Sequence, residues 1–243
     1  YVRPYAYDFF DSVMCCGRIL EENIRRMEEI RQLPKKRLFA TGVPHYDVLV
    51  RERAPDRGFS QRSVVLVAPS WGPMSIFQVF GTSLVKTVAR HYDVIVRPHP
   101  QMQRSQPELY REVLGLEGVT VDTGRTPLAA MAAADLLISD ISGIVHEFAF
   151  VHEKPVIVID HRGDVGGLEG ALLGGDSELK ELCREFITPV APGEMENLPK
   201  LIAVAMERHS SQRIAAARAD LVYNFGNAAP AAARQLQEIL QCP

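Results

Sequence analysis

The chain has few of the residues that announce a metal site, a membrane span or a nucleic-acid surface. Its four cysteines, Cys15, Cys16, Cys183 and Cys242, show no CxxC or other metal-ligand spacing. Cys15 and Cys16 are neighbours in an apolar run and read as buried free thiols, which argues against a disulfide framework and for a reducing, cytoplasmic setting. Acidic residues outnumber basic ones, 30 to 27, so the clustered cationic excess of a polyanion binder is missing and nucleic acid is not an expected partner. No apolar run approaches the roughly 20 residues of a membrane helix. The sequence starts at Tyr1 without an initiator Met or a signal peptide, and we expect it to be a piece of a longer protein. One stretch departs from the charge balance: Arg25 to Arg37, with Arg26, Arg31, Lys35 and Lys36 between. It reads as a solvated helix face with a cationic end, and contact with anionic lipid headgroups is the alternative.

What is present is a rhythm. Short runs rich in Val and Ile alternate with amphipathic stretches, the pattern of strands buried on both faces and separated by helices. Strands are expected at Val64–Ala68, Val94–Arg97, Val119–Asp122, Leu136–Ser139 and Val156–Ile159, with a weaker one near Phe186–Pro189. Helices are expected at Ser75–Arg90, Gln106–Leu114, Pro127–Ala134, Ser142–Phe150 and Ser177–Glu185. Right-handed crossovers then give an α/β fold with a Rossmann-like, doubly wound parallel sheet. The first sixty residues read separately, as strand Asp11–Cys16, helix Glu21–Gln32 and strand Arg37–Thr41, followed by a polar linker with Pro55 and Gly58. We therefore expect three parts. Residues 1–59 are the remnant of an N-terminal domain with its linker, and 60–209 form the nucleotide-donor-binding domain. Residues 210–243 are C-terminal helices packing back towards the N-terminal part.

Open parallel sheets bind ligands at the carboxyl ends of their strands, so the strand endings carry the functional reading. The first ends in Pro69-Ser70-Trp71-Gly72-Pro73, which brings the Ser70 hydroxyl and free N–H groups to the crevice, or is a plain turn with Trp71 on the surface. No GxGxxG follows this strand, which weighs against NAD chemistry. The second ends in Arg97-Pro98-His99-Pro100. The flanking prolines stiffen the backbone that carries His99, as suits an imidazole that protonates or hydrogen-bonds a departing phosphate. The fourth ends in Ser139-Asp140-Ile141-Ser142-Gly143, just before a helix whose N-terminus makes a phosphate seat, with capping by Asp140 or Ser142 as the plainer reading. The fifth ends in Asp160-His161-Arg162-Gly163-Asp164, where Asp160 or Arg162 meets a ribose or phosphate unless the loop is simply mobile.

The order APSWGP, RPHP, LLISDISGIVHEFAF, EKPVIVID resembles the CDP-glycerol glycerophosphotransferase (teichoic acid polymerase) family. The segments TGVPHYD and NFGNAAPAAARQL fit its interdomain crossing and terminal helices. The resemblance implies a GT-B fold, two Rossmann-like domains with the donor on the C-terminal one. It also implies transfer of glycerol phosphate from CDP-glycerol to a membrane-attached acceptor in cell-envelope polymer synthesis, with release of CMP and without metal or other cofactor. By position, His99 resembles the histidine that contacts the donor phosphates and assists the leaving group, and Ser139, Asp140, Ser142 and Gly143 resemble the diphosphate loop. Ser70, Arg97, Asp160 and Arg162 complete the expected donor site. The chain departs from the family at Gly143, where a second hydroxyl is usual, at Ile141 for an aromatic, at Glu147 for an aspartate and at His45 for an arginine. The family's base stands in a His-Gly motif of the N-terminal domain, and no His-Gly pair occurs in this sequence.

Two other readings stay open at this level. A GT-B glycosyltransferase or UDP-GlcNAc 2-epimerase-like enzyme would place a carboxylate near a sugar ring, for which Glu147, Glu153 and Asp160 are candidates. A non-catalytic nucleotide-binding module needs no base at all. The sequence leaves acceptor, oligomeric state and peripheral membrane contact open.

Overall fold

The computed structural model describes residues 5–55, 62–140, 142–159 and 183–241. The chain forms two compact units, 1–52 with 164–185 and 215–243, and 53–163 with 186–214.

The second unit is built on six parallel strands: β3 (Val64–Val67), β4 (Asp93–Val96), β5 (Thr120–Val121), β6 (Leu136–Ser139), β7 (Val156–Ile159) and β8 (Ile187–Val190). They lie in the order β5-β4-β3-β6-β7-β8, with Val65 opposite Val94 on one side and Leu136 on the other. Every residue of β3 and β6 is buried, as expected of central strands covered on both faces. Each of these aliphatic side chains contributes roughly 1.5–3 kcal/mol by leaving water. The core adds Phe77, Val85 and Val88 from the connection between β3 and β4, and Leu198 and Ile202 from the segment after β8. The chain runs outward from β3 to β4 and β5, then returns to β6 on the other flank. The sheet therefore reverses direction between β3 and β6, and this reversal is the topological switch point of a Rossmann-like sheet.

The connections are α3 (Ile76–Phe80), α4 (Ser83–Ala89), α5 (Met102–Ser105), α6 (Pro107–Leu114), α7 (Leu128–Ala133) and α8 (Ile144–His152). The single helix expected over Ser75–Arg90 is two: Gly81 takes φ +67 and stops α3, because a left-handed residue cannot continue the turn. A 3₁₀ turn at Pro192–Asn197 leads into α9 (Leu198–Glu207), and α10 (Ser211–Leu221) follows, within the region expected to hold C-terminal helices but with bounds the sequence did not mark. Of the expected helix Ser177–Glu185, residues 177–182 lie outside the described residues.

The first unit pairs β1 (Ser12–Cys15) with β2 (Arg37–Ala40) in parallel, joined by α1 (Arg18–Arg31). It continues in α2 (Pro44–Arg51) and α11 (Ala228–Gln241). The segments TGVPHYD and NFGNAA meet here. Asp47 accepts the N–H groups of Ala228 (2.9 Å) and Ala229 (2.7 Å), supplying α11 with its cap, and Tyr46 packs on Phe225 with ring centroids 5.4 Å apart. Gly42 has φ +86, and a Cβ there would sit 2.0 Å from the Tyr223 carbonyl oxygen, so only glycine fits this approach.

Candidate functional site

At the switch point the loop after β3 and the loop after β6 are tied together by one carboxylate. Asp140 is 1 % exposed. Its Oδ1 accepts the Ser70 N–H at 2.8 Å and its Oδ2 accepts the Ile76 N–H at 2.9 Å. The Ser139 hydroxyl donates to the Ala68 carbonyl at 2.6 Å. Ser139 and Asp140 thus brace the loop of residues 69–75 from the inside. A charged acceptor for two backbone donors is a strong tether in a buried place. The same loop is held at its outer side by Gln106, whose Oε1 accepts the Gly72 N–H at 2.9 Å.

Ser142 and Gly143 lead into α8 from the end of β6. Ser142 is half-buried and Gly143 exposed. The N-cap of α8 is Gly143, which forms no side-chain cap, and the Asp140 carboxylate is engaged with the Ser70 and Ile76 N–H groups instead. The N–H groups of Val145 and His146 are taken by the Ser142 and Gly143 carbonyls, and the Glu147 carboxylate lies near the start of the helix, 3.9 Å from where a Gly143 Cβ would be, while the helix start keeps its partial positive charge. At the opposite end, Arg53 donates to the Val151 carbonyl at 2.8 Å and His209 bonds the Glu153 carbonyl, which holds the C-terminal end of α8 in place.

His99 stands beyond the carboxyl end of β4, the strand next to β3. Its Nδ1 accepts the Gln101 N–H at 3.1 Å. That bond fixes the tautomer: in the neutral ring Nε2 carries the proton and is left as a donor. Burial holds the imidazole below its ordinary pKa; Asp140 opposes this and Arg97 adds to it. The Trp71 ring lies beside it, centroids 6.1 Å apart.

Arg97 is 8 % exposed. It bonds Asp122 through Nη1 at 2.6 Å and the Gly124 carbonyl through Nη2 at 2.9 Å, so its guanidinium secures the loop after β5. The Ser70 backbone is committed to Asp140, and Ser70 is half-buried. Asp160, Arg162 and Ile141 lie outside the described residues. The residues that the sequence did not reveal are Gln101 and Gln106: neither belongs to a recognisable motif, Gln101 acts through its backbone N–H and Gln106 through a side-chain oxygen that accepts a backbone N–H. In the other unit, Arg25 pairs with Glu28 at 2.8 Å, Arg31 with Asp8 at 2.7 Å, and Lys36 donates to the Asp8 and Phe10 carbonyls. Much of the charge of that stretch is therefore engaged within the unit. Among the described residues no His, Cys, Asp and Glu cluster has the makings of a metal site, and no helix is long and apolar enough to cross a membrane.

Residues 18–163 match the family CDP-Glycerol:Poly(glycerophosphate) glycerophosphotransferase. The chain belongs to that family. No curated protein matches it. Among solved structures it is similar to the wall teichoic acid polymerase TagF, at 17% identity over 95% of this chain and 59% of that one, with a TM-score of 0.56. A TagF variant soaked with CDPG gives 17%, 95%, 57% and 0.55, and the GtfA/B complex 12%, 97%, 48% and 0.52. At such identities the likeness is one of fold, and the fold is GT-B. The chain spans under two thirds of the length of these structures.

Proposed function

We propose that this chain carries the donor-binding side of a glycerophosphotransferase, moving glycerol phosphate from CDP-glycerol to a polymeric or lipid-linked acceptor. The observation that supports it best is the pairing of the α8 start after β6, where Gly143 is exposed, with His99, an Nε2–H donor on a stiff Pro-His-Pro turn after β4. Together they flank the braced loop after β3. A diphosphate lying across the switch point meets the helix N-terminus at one phosphate and His99 at the other.

In the reaction, an acceptor hydroxyl oxygen attacks the β-phosphorus in line. The new P–O bond forms as the bond from that phosphorus to the bridging oxygen breaks, and CMP departs with the electron pair. His99 hydrogen-bonds or protonates the oxygen on which charge develops. The reading assigns the base that takes the hydroxyl proton to a part of the enzyme outside this site, and we expect the chain alone to bind donor and transfer poorly. Ser70, Arg97, Asp160 and Arg162 stay in the proposal as donor-site residues, with Arg97 acting by holding the loop after β5. The reading requires no metal or other cofactor. We place the protein in the cytoplasm, at most peripherally on the membrane, with Arg26, Lys35 and Arg37 as the exposed cations of that stretch. Calorimetric titration with CDP-glycerol tests the reading: heat of binding that disappears in His99→Ala supports it, and equal binding by both proteins refutes the role of His99.

A further inference from the structure

The chain holds a single tryptophan, and it is 47% exposed at the rim of the switch point. A large apolar side chain in that position would ordinarily be free to fold down, yet the backbone on both sides of it is fixed. The Ser70 N–H is bound by buried Asp140 and the Gly72 N–H by Gln106, and Gln106 is itself bonded to Gln78. Gly72 takes φ +83 and has nothing within 4 Å of where a Cβ would be, so the loop turns sharply just after the indole. The exposed ring lies beside the half-buried His99, at 6.1 Å and a 33° tilt.

Resting on the function proposed above, we infer that Trp71 is the platform for the glyceryl end of the donor. The phosphorus under attack must stay open to an acceptor arriving from outside this unit, so the group it carries belongs at the exposed rim and not in the depth of the crevice. Trp71 is the aromatic residue at that rim in contact with His99. A polyol presents C–H edges to an aromatic face and hydroxyls to the indole Nε1–H donor, while its phosphate remains within reach of His99. Trp71 thereby distinguishes CDP-glycerol from CMP, which lacks the glyceryl phosphate.

Because Trp71 is the only tryptophan, its fluorescence reports on this position alone. The 243-residue chain is titrated with CDP-glycerol and with CMP, following emission and calorimetric heat in parallel, in wild type, Trp71→Phe and Trp71→Ala. The inference expects CDP-glycerol to shift the emission and CMP to leave it nearly unchanged. It expects Trp71→Ala to bind CDP-glycerol about tenfold more weakly, CMP within about twofold, and Trp71→Phe to keep most of the affinity. Calorimetric binding of CDP-glycerol that is the same in wild type and Trp71→Ala, with silent emission, overturns the inference and leaves the functional reading standing. Equal loss of CMP affinity assigns the ring to the nucleoside and also overturns it. Wild type that binds no CDP-glycerol calorimetrically removes both.

Discussion

Asp140, at the end of β6, holds the backbone N–H of Ser70, seventy residues earlier in the chain, at 2.8 Å. Its other oxygen takes the Ile76 N–H. This contact converts two loops on opposite sides of the switch point into one rigid rim. Asp140→Ala leaves two donors unpaired in a buried place and is expected to lower stability by about 3 kcal/mol. Asp140→Asn keeps one acceptor and loses less. Urea denaturation of the three proteins checks the order.

Arg97 serves a neighbouring loop in the same way. Replacing it with alanine removes a partner from the partly exposed Asp122, which keeps the Gly124 N–H, and frees the Gly124 carbonyl, at an expected cost of about 1.5–2 kcal/mol. Arg97→Lys recovers only part of this, because an ammonium cannot reach both acceptors in a fixed fork. Thermal unfolding gives the stability order, and donor titration shows whether a loosened loop after β5 also weakens binding.

How far the sequence could be read differs between fold and site. β6 and β7 have the bounds expected of them because they are fully apolar runs with polar ends, the signature of strands covered on both faces. The split of the Ser75–Arg90 helix escaped the apolar spacing, since Ile76, Phe77, Leu84, Val85 and Val88 are all buried across the break; Gly81 alone marked it. α10 is Ala-rich and weakly periodic, which hides a helix from any pattern reading. The positions of His99 and Asp140 at strand ends were legible from the alternation. Their partners were not: Ser70, Ile76 and Gln101 contribute backbone N–H groups, which no side-chain pattern marks, and the two contacts of Asp140 reach so far back along the chain that they leave no local trace.

His99 makes stability and binding pH-dependent. Its folded-state pKa lies below the ordinary 6.5, chiefly through burial. The unfolded chain therefore binds the proton more readily, and stability present above pH 6.5 declines as pH falls through that value and then through the folded pKa. His99→Gln is expected to flatten this decline in chemical denaturation between pH 5 and 7.5. Bound diphosphate reverses the balance by favouring the imidazolium. Donor binding near pH 6 should take up a proton, seen as a dependence of binding heat on buffer ionisation enthalpy that His99→Gln abolishes.

Two glycine substitutions separate crowding from backbone strain. Gly42→Ala drives a Cβ to 2.0 Å from the Tyr223 carbonyl oxygen at φ +86, whereas Gly118→Ala meets nothing within 4 Å at φ +73. The second should cost about 1–2 kcal/mol from left-handed strain alone, and the first clearly more. Equal midpoints in urea would contradict the close approach in the first unit.

The most direct test of the donor site is Gly143→Asp. Gly143 has an ordinary negative φ and room for a side chain, the nearest atom to a Cβ being Glu147 Oε1 at 3.9 Å, so stability should change by no more than about 1 kcal/mol. A second carboxylate at the start of α8, beside that of Glu147, would nevertheless repel a diphosphate. Titrating wild type and Gly143→Asp with CDP-glycerol, CMP, UDP-GlcNAc and NAD should show cytidine ligands binding wild type alone and the variant, still folded, binding none. Undiminished binding by the variant, or a preference of wild type for UDP-GlcNAc or NAD, would contradict the account.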